Sequence, residues 1–272
     1  TIRRNAATAI LYDTIDLHFV RKRREAELAG NPDPKTWEEI EQIELSAARS
    51  ADITITVSEP DRDVLADRGI ANVAVIPTIH TARSAETRTF GERKGILFIG
   101  GYNHTPNVDA VKWLCSDIMP LVWERLPDVK LTLLGSGPSQ EVQDLASDRV
   151  SVPGYLRDVS PYFEQSRVFV APIRFGAGLK GKIGQSLEFG LPVVTTPIGA
   201  EGFPLRSGEN CLLAADAREF ADAVIRLYSD EQTWSSFARA SAEALREFGD
   251  EAVAVRIAQM LENLAVANRA SS

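Results

Sequence analysis

Two rhythms of apolar residues alternate along the chain. Short unbroken runs occur at Ala6–Tyr12 (A-A-T-A-I-L-Y), in Gly95-Ile96-Leu97-Phe98-Ile99, at Val129–Leu134, at Arg167–Ala171 and at Pro192–Thr196. Such runs suit parallel strands that are covered on both faces. Between them, apolar positions recur every third or fourth residue, as on one side of a helix. Ile40, Ile43, Leu45 and Ala47 mark a helix over 35–49, and Val108, Val111, Cys115, Ile118 and Val122 mark another, with Pro120 opening a second segment. The C-terminal end reads as three helices, Ala217–Tyr228, Glu231–Phe248 and Glu251–Ala267. Asn31-Pro32-Asp33-Pro34 breaks the chain, and 81–94 is polar and aperiodic, as a linker is.

The richest stretch runs from Ala171 to Thr196, A-P-I-R-F-G-A-G-L-K-G-K-I-G-Q-S-L-E-F-G-L-P-V-V-T-T. It reads as a glycine loop, a short helix and a buried strand. That order presents helix-terminal N–H groups to a phosphate at the edge of a parallel sheet. Gly176 and Gly178 permit positive φ and close approach to a ligand, and Lys180 and Lys182 follow where the helix begins. Ile183 and Leu187 share one side of this helix. Gly181, Gln185 and Glu188 share the other, with Lys182 beside them. Gly190 stops the helix as a C′ glycine.

Other candidates are more dispersed. Asp13, Asp16 and His18 follow the first run, where ligands of open α/β sheets gather; the alternative is that Asp13 or Asp16 caps the next helix. Arg21-Lys22-Arg23-Arg24 reads as a solvated helix face or as a contact for an anionic acceptor or lipid headgroup. His104 is either a ligand contact or a turn residue. Gly135-Ser136-Gly137-Pro138 is no Walker A, because no Lys-Ser/Thr pair follows it.

Composition narrows the class. With 272 residues, 44% hydrophobic and 25% charged, the chain is an ordinary globular protein. A formal charge of −8 argues against a nucleic-acid partner while leaving room for a local cationic pocket. Cys115 and Cys211 form no C-x-x-C and no cluster with His18, His80 or His104, so neither disulfides nor zinc are expected. The expected location is cytoplasmic.

The segment F-G-A-G-L-K-G-K-I-G-Q-S-L-E-F-G-L-P-V-V-T-T-P-I-G-A-E-G resembles the donor-binding segment of the family-4 (group 1) retaining glycosyltransferases. The resemblance extends over most of residues 50 to 250. It implies the α/β GT-B fold, with two Rossmann-like parallel-sheet domains. The domains expected are 1–80 as a partial acceptor-side domain, 81–94 as linker, 95–250 as the nucleotide-sugar domain and 251–272 as a helix packing back on the first domain. S-A-A-R-S-A-D-I-T-I-T-V-S-E-P-D-R-D-V-L and N-V-A-V-I-P resemble the end of the family's N-terminal domain. Only three of its strands are readable, at about 8–12, 52–57 and 72–76, and the upstream part of that domain is expected to be absent.

The resemblance also implies site residues. Asp13 matches the residue facing the acceptor and the donor's anomeric carbon. Gly100 and Gly101, in G-G-Y-N-H-T-P-N-V-D-A-V, match glycines that lie against the donor diphosphate. The Arg and Lys more usual in that turn are missing, which places the cationic role on Lys180 and Lys182. Gly154 and Tyr155 belong to the stretch that lines the base. Gly199 and Glu201 follow a strand end, where Glu201 either meets donor-sugar hydroxyls or sits in solvent. The family's E-x7-E pair falls on Ala177 and Gln185. Gln185 keeps hydrogen-bonding capacity for a ribose without the charge, and Glu188 is a substitute on the same face.

The expected activity is transfer of a sugar from a nucleoside-diphosphate sugar to a hydroxyl of a polysaccharide, lipid-linked or small glycan acceptor. No metal or other cofactor is expected, and peripheral membrane contact through the N-terminal domain is part of the expectation. The alternative is a catalytically weakened nucleotide-binding or scaffold protein on the same fold. A dinucleotide-dependent oxidoreductase is disfavoured, since no G-x-G-x-x-G follows the first strand.

Overall fold

The structure, a computed structural model, describes residues 8–30, 32–83 and 88–270, with side chains described as far as residue 265. Expectations that fall on Ala6, Ala7, Asn31, residues 84–87 and residues 271–272 lie outside the described residues. The chain divides into two compact bodies. The first takes the described residues up to Ile79, then Gly176–Leu179 and the chain from Phe248; the second takes His80–Phe175 and Lys180–Glu247.

In the first body, β1 (Leu11–Asp13), α1 (His18–Leu28), α2 (Lys35–Ser50), β2 (Ile53–Thr56), α3 (Glu59–Ala66) and β3 (Val73–Val75) follow one another. The strands pair in parallel in the order β1-β2-β3. The first strand begins later than the apolar run Ala6–Tyr12 predicts. Asp52 is the reason: its carboxylate takes the Ile10 N–H at 2.8 Å while its own N–H goes to the Ile10 carbonyl, so the ladder starts one residue on. Leu17, Phe19, Val20, Leu45, Ala48, Leu65 and Ile70 form the core. Ile43 faces away from it and is 63% exposed.

Neither Asp13 nor Asp16 caps α1. Asp13 Oδ1 accepts the Ile15 N–H at 3.2 Å, closing a turn in which Ile15 has φ 58°, and Asp16 pairs with Arg21 at 2.7 Å. Leu17 occupies the cap position without an oxygen to offer, and Glu44 of α2 takes its role. The Glu44 carboxylate accepts from His18 N and Phe19 N, each at 3.1 Å. Each member of the basic tetrad has a partner inside its own body. Arg21 meets Asp16, Lys22 meets Glu25, Arg23 meets Glu27 and Arg24 donates to the Gly176 carbonyl.

The second body contains β4 (Ile96–Ile99), α4 (Thr105–Trp113), α5 (Met119–Arg125), β5 (Leu131–Leu134), α6 (Gln140–Gln143) and β6 (Val150–Gly154). It continues through α7 (Ser160–Gln165), β7 (Val168–Ala171), α8 (Gly181–Glu188), β8 (Val193–Thr195), α9 (Pro197–Ala200), β9 (Leu212–Leu213), α10 (Ala217–Ser229) and α11 (Glu231–Ala244). Pro120 has no N–H for the carbonyl one turn back, and the helix widens into a π turn over Leu114–Ile118 before α5 begins. The expected helix Glu231–Phe248 ends at Ala244 and is followed by a tight turn over Arg246–Phe248. The last helix, α12 (Asp250–Ala270), belongs to the first body and buries Val253 and Met260.

All six strands of the second sheet are parallel, in the order β6-β5-β4-β7-β8-β9. The central strands are apolar along their length because helices cover both faces: Ile96, Leu97, Phe98 and all of Val168–Ala171 are buried. The stretch expected as linker is built into this body at its C-terminal end. Thr89 and Glu92 form a capping box, and Arg93 is fully buried, donating to the carbonyls of Arg88, Phe163, Ser166 and Phe189.

Candidate functional site

The strand order places the site. Counted within the second body the sheet runs 3-2-1-4-5-6, so the connections leaving β4 and β7 depart in opposite directions and open a crevice beyond their carboxyl ends. Two stretches of the second body border it: Gly100–His104, which feeds α4, and Pro172–Phe175, which follows β7.

Gly100 lacks a side chain because Asn107 of α4 occupies that space; a Cβ there would lie 2.7 Å from Asn107 Cγ. Gly135, after β5, brings its Cα against the Gly100 carbonyl, where a Cβ would collide. Asn107 is thereby fixed, its Nδ2 donating to the Gly101 carbonyl at 2.8 Å and its Oδ1 accepting from Lys182 Nζ. The Lys182 ammonium also lies over the Phe98 ring, 4.7 Å from its centroid. Its partners are an amide oxygen and a ring face, neither of them an anion.

The neighbouring cations are matched. Lys180 is buried, with Nζ 3.3 Å from Glu201 Oε2. Arg174 donates to both carboxylate oxygens of Asp109, at 2.9 and 2.5 Å, and stacks over Trp113. Burial, and then the nearby charge of Lys180, push Lys182 from 10.5 down to about 7. The crevice therefore holds an ammonium short of negative charge, at the first turn of α8, whose N–H groups point the same way as its dipole. An anionic oxygen placed there would supply what is missing. It would restore the proton to Lys182 and accept charge-assisted hydrogen bonds.

The structure brings Gly100, Gly101, Lys180, Lys182, Gln185 and Glu201 into the second body, around β4, α8 and the segment after β8. Glu201 is held by Lys180 rather than standing in solvent. Glu188 is not an uncommitted substitute clamp: its Oε1 lies 2.7 Å from Nδ1 of the buried His80. Gly199 does not approach a ligand through its bare Cα, because the Thr195 hydroxyl fills that space and Thr196 Oγ1 accepts its N–H at 2.9 Å. Gly154 ends the edge strand β6 with φ 77°, its carbonyl accepting the Gly135 N–H, and Tyr155 beside it is 72% exposed.

Asp13 and Gly178 belong to the first body. Gly178 has φ 68°, and its missing Cβ makes room for the chain's own Ile15–Asp16 turn, with 2.9 Å to Asp16 Cβ; that approach, not one to a ligand, is what the glycine permits. His104 is exposed at the N-cap of α4. Two residues whose contacts shape this region escape a reading by type and spacing, Asn107 and His80. The signal for Asn107 is the glycine seven positions before it, and for His80 it is Gly184, but neither glycine reveals its partner in sequence. Among the described residues, no group of three or more His, Cys, Asp or Glu is placed to hold a metal, and no helix is long and apolar enough to cross a membrane.

The family model "Glycosyl transferases group 1" matches residues 93–230, half of the chain, and includes the whole second sheet. Among curated proteins, the chain is 28% identical over 140 residues to an uncharacterized 44.6 kDa protein in the cps region of Klebsiella pneumoniae, covering 48% of this chain and 36% of that one. It is 27% identical over 179 residues to the phosphatidyl-myo-inositol mannosyltransferase of Mycobacterium leprae, covering 63% and 47%. The chain thus spans less than half the length of these relatives. Among solved structures, HepE of Anabaena in complex with UDP and glucose superposes with a TM-score of 0.70 at 15% identity, over 94% of this chain and 71% of that chain. TarM of S. aureus gives 0.73 at 17%, over 89% and 49%. These likenesses show the fold, the α/β GT-B architecture. By the family match across the second body, the chain belongs to the group 1 glycosyl transferases.

Proposed function

We propose that this chain carries the donor-nucleotide site of a glycosyltransferase that moves a sugar from a nucleoside-diphosphate sugar to a hydroxyl acceptor. The observation that carries the reading is Lys182: a partly buried ammonium with only neutral partners, beside a second lysine, at the switch point of a 3-2-1-4-5-6 parallel sheet. As the glycosidic bond breaks, negative charge gathers on the leaving diphosphate. Lys182, Lys180 and the first-turn amides of α8 stabilise that added charge on the leaving diphosphate more than they stabilise the less charged diphosphate of the intact donor, which is what lowers the barrier. Two lysines and a helix terminus do this without a metal, and we propose no cofactor beyond the donor itself.

Gln185, partly exposed on α8, is proposed to bond the ribose hydroxyls through its amide. Retention of configuration, membership of family 4 and hexosyl transfer are the finer readings that the sequence resemblance supports. The mannosyltransferase relatives and the family match favour transfer over the scaffold alternative. The acceptor class proposed is a glycan or lipid-linked glycan in the cytoplasm, in polysaccharide assembly. Membrane contact is not part of the proposal, because the basic tetrad is paired within its own body. The reading rests on the second body alone and assigns Asp13 no step.

The test is calorimetric titration with UDP, GDP and ADP, followed by a transfer and hydrolysis assay with the matching sugar nucleotides. One nucleotide is expected to bind, and Lys182→Ala to weaken it by at least ~1 kcal/mol, about fivefold or more. Binding with no turnover of any donor would favour the scaffold alternative, and no binding would remove the proposal.

A further inference from the structure

Helix α8 holds both the lysine pair and a tight seam with the residues that begin the second body. His80 is 8% exposed, and its Nδ1 lies 2.7 Å from Glu188 Oε1 at the end of α8. The ring lies flat on the helix: a Cβ at Gly184 would come within 2.5–2.6 Å of three of its atoms, and one at Gly181 within 4.0 Å of Nε2. On its other side is the Phe203 ring, 5.9 Å away and tilted 55°, two residues after Glu201, the partner of Lys180. Arg83 completes the seam. Its N–H goes to the Glu188 carbonyl at 3.0 Å, and its guanidinium lies 3.9 Å above the Phe189 ring.

One imidazole therefore touches both segments that set the Lys180–Glu201 pair, the first turn of α8 and the chain after α9. Eight residues of helix do not hold a position by their own hydrogen bonds, so packing on two sides must do it. Ile183 and Leu187 supply one side from the core, and His80 supplies the other, over a strip where Gly181 and Gly184 leave nothing but backbone. Arg83 and Glu188 fasten only the far end.

We propose that His80 is a positioning residue for the Lys180–Lys182 anion site, acting through α8, and that Gly184 is required to seat its ring. The inference rests on the reading of that site as the donor-diphosphate site. It differs from a packing role in that it sets the affinity of the folded protein for nucleotide, not only its melting temperature.

The experiment compares the wild-type chain with His80→Ala, His80→Asn, Gly184→Ala and the double variant His80→Ala/Gly184→Ala. Each is titrated with UDP, GDP and ADP at a temperature where its circular dichroism is native, and amide hydrogen exchange is followed over 181–190. His80→Ala is expected to weaken the best nucleotide by about tenfold and to speed exchange in α8 by a similar factor. His80→Asn, whose amide nitrogen hangs from Cγ as Nδ1 does and can donate to Glu188, is expected to stay within about threefold of wild type on both readouts. Gly184→Ala displaces the ring and should match His80→Ala, and the double variant should be no worse than either single one. Native affinity and native α8 exchange in folded His80→Ala would overturn the inference, as would single-variant losses that multiply in the double variant. If wild type binds none of the three nucleotides, the donor-site reading fails, whereas the exchange comparison still decides whether His80 holds the helix.

Discussion

At the scale of single residues, the informative group is Lys182, because its protonation links stability, pH and ligand. Its ordinary value of 10.5 is pushed down to about 7 by burial and by Lys180. Between those two values the unfolded chain holds a proton that the folded chain does not, so stability rises with pH across that window. Below pH 7 the ammonium is charged in both states, and the full cost of burying it is present. Lys182→Met is therefore expected to stabilise the ligand-free protein at pH 6 by ~1–2 kcal/mol, a gain that shrinks toward pH 10. Thermal melts across that range check it, and a gain that grows with pH would contradict the buried-ammonium account. Ligand linkage has the opposite sense. A bound diphosphate raises the lysine again, so nucleotide binding takes up a proton above pH 7, and affinity falls by up to about tenfold per pH unit there. Titration in buffers of different ionisation enthalpy reads the proton directly. Affinity that stays constant from pH 7 to 9 would remove Lys182 from the phosphate. The identity of this lysine was legible in the sequence from the glycine loop before it. Its partner Asn107 was not, since an asparagine in the first turn of a helix is ordinarily read as a local cap and here it reaches across to another element.

At the scale of elements, the strands and the longer helices follow the apolar rhythm, and the departures share one cause: polar residues with long-range partners. Arg93 is the clearest. In a polar, aperiodic stretch it reads as linker, yet it is 1% exposed, and its guanidinium, lowered to about 10 by burial, closes carbonyls near the ends of two helices. Phe163 and Ser166 belong to α7 and its end, and Phe189 is the C-cap of α8. Helix C-termini leave carbonyls unsatisfied, and a buried cation is one way to meet them. Arg93→Met keeps the volume of the stem and removes every donor. It is expected to destabilise the second body by about 3 kcal/mol, with Arg93→Lys in between, measured as the midpoint shift in urea. A loss below half of that would mean that water meets these carbonyls as well as the guanidinium does. The same blindness to distant partners explains Glu44, whose carboxylate caps α1 from α2, and Asp52, which delays the start of β1.

At the scale of the whole molecule, the pattern of runs and helices specifies an α/β chain but not the order in which strands lie side by side, and that order is what creates the crevice. Glycines announce close approach without saying to what. Gly100 faces Asn107, Gly178 faces the Ile15–Asp16 turn, Gly184 faces His80 and Gly199 faces Thr195, so four glycines that a sequence reader assigns to a ligand or to a plain helix serve the protein's own packing. The proposed anion site is therefore narrower than the glycine pattern implies, and its footprint is predictable. Nucleotide binding should slow amide exchange in the turn Gly100–Asn107 and in the first turn of α8, with Gly154–Tyr155 included if that exposed turn meets the base. The opposite edge of the second sheet, at the amino ends of β4 and β5, should be protected only through global stabilisation, which at a hundredfold excess over Kd is worth about 2.7 kcal/mol. The distinction can be measured, because global stabilisation slows only amides that exchange by whole-body opening, whereas a ligand contact slows the fast surface amides of a turn. Protection that appears first at the amino ends of the strands would place the ligand on the wrong side of the sheet. The switch-point argument would fall with it, since among the described residues of the second body no other edge concentrates an ammonium, a helix N-terminus and the Gly100–Gly101 turn.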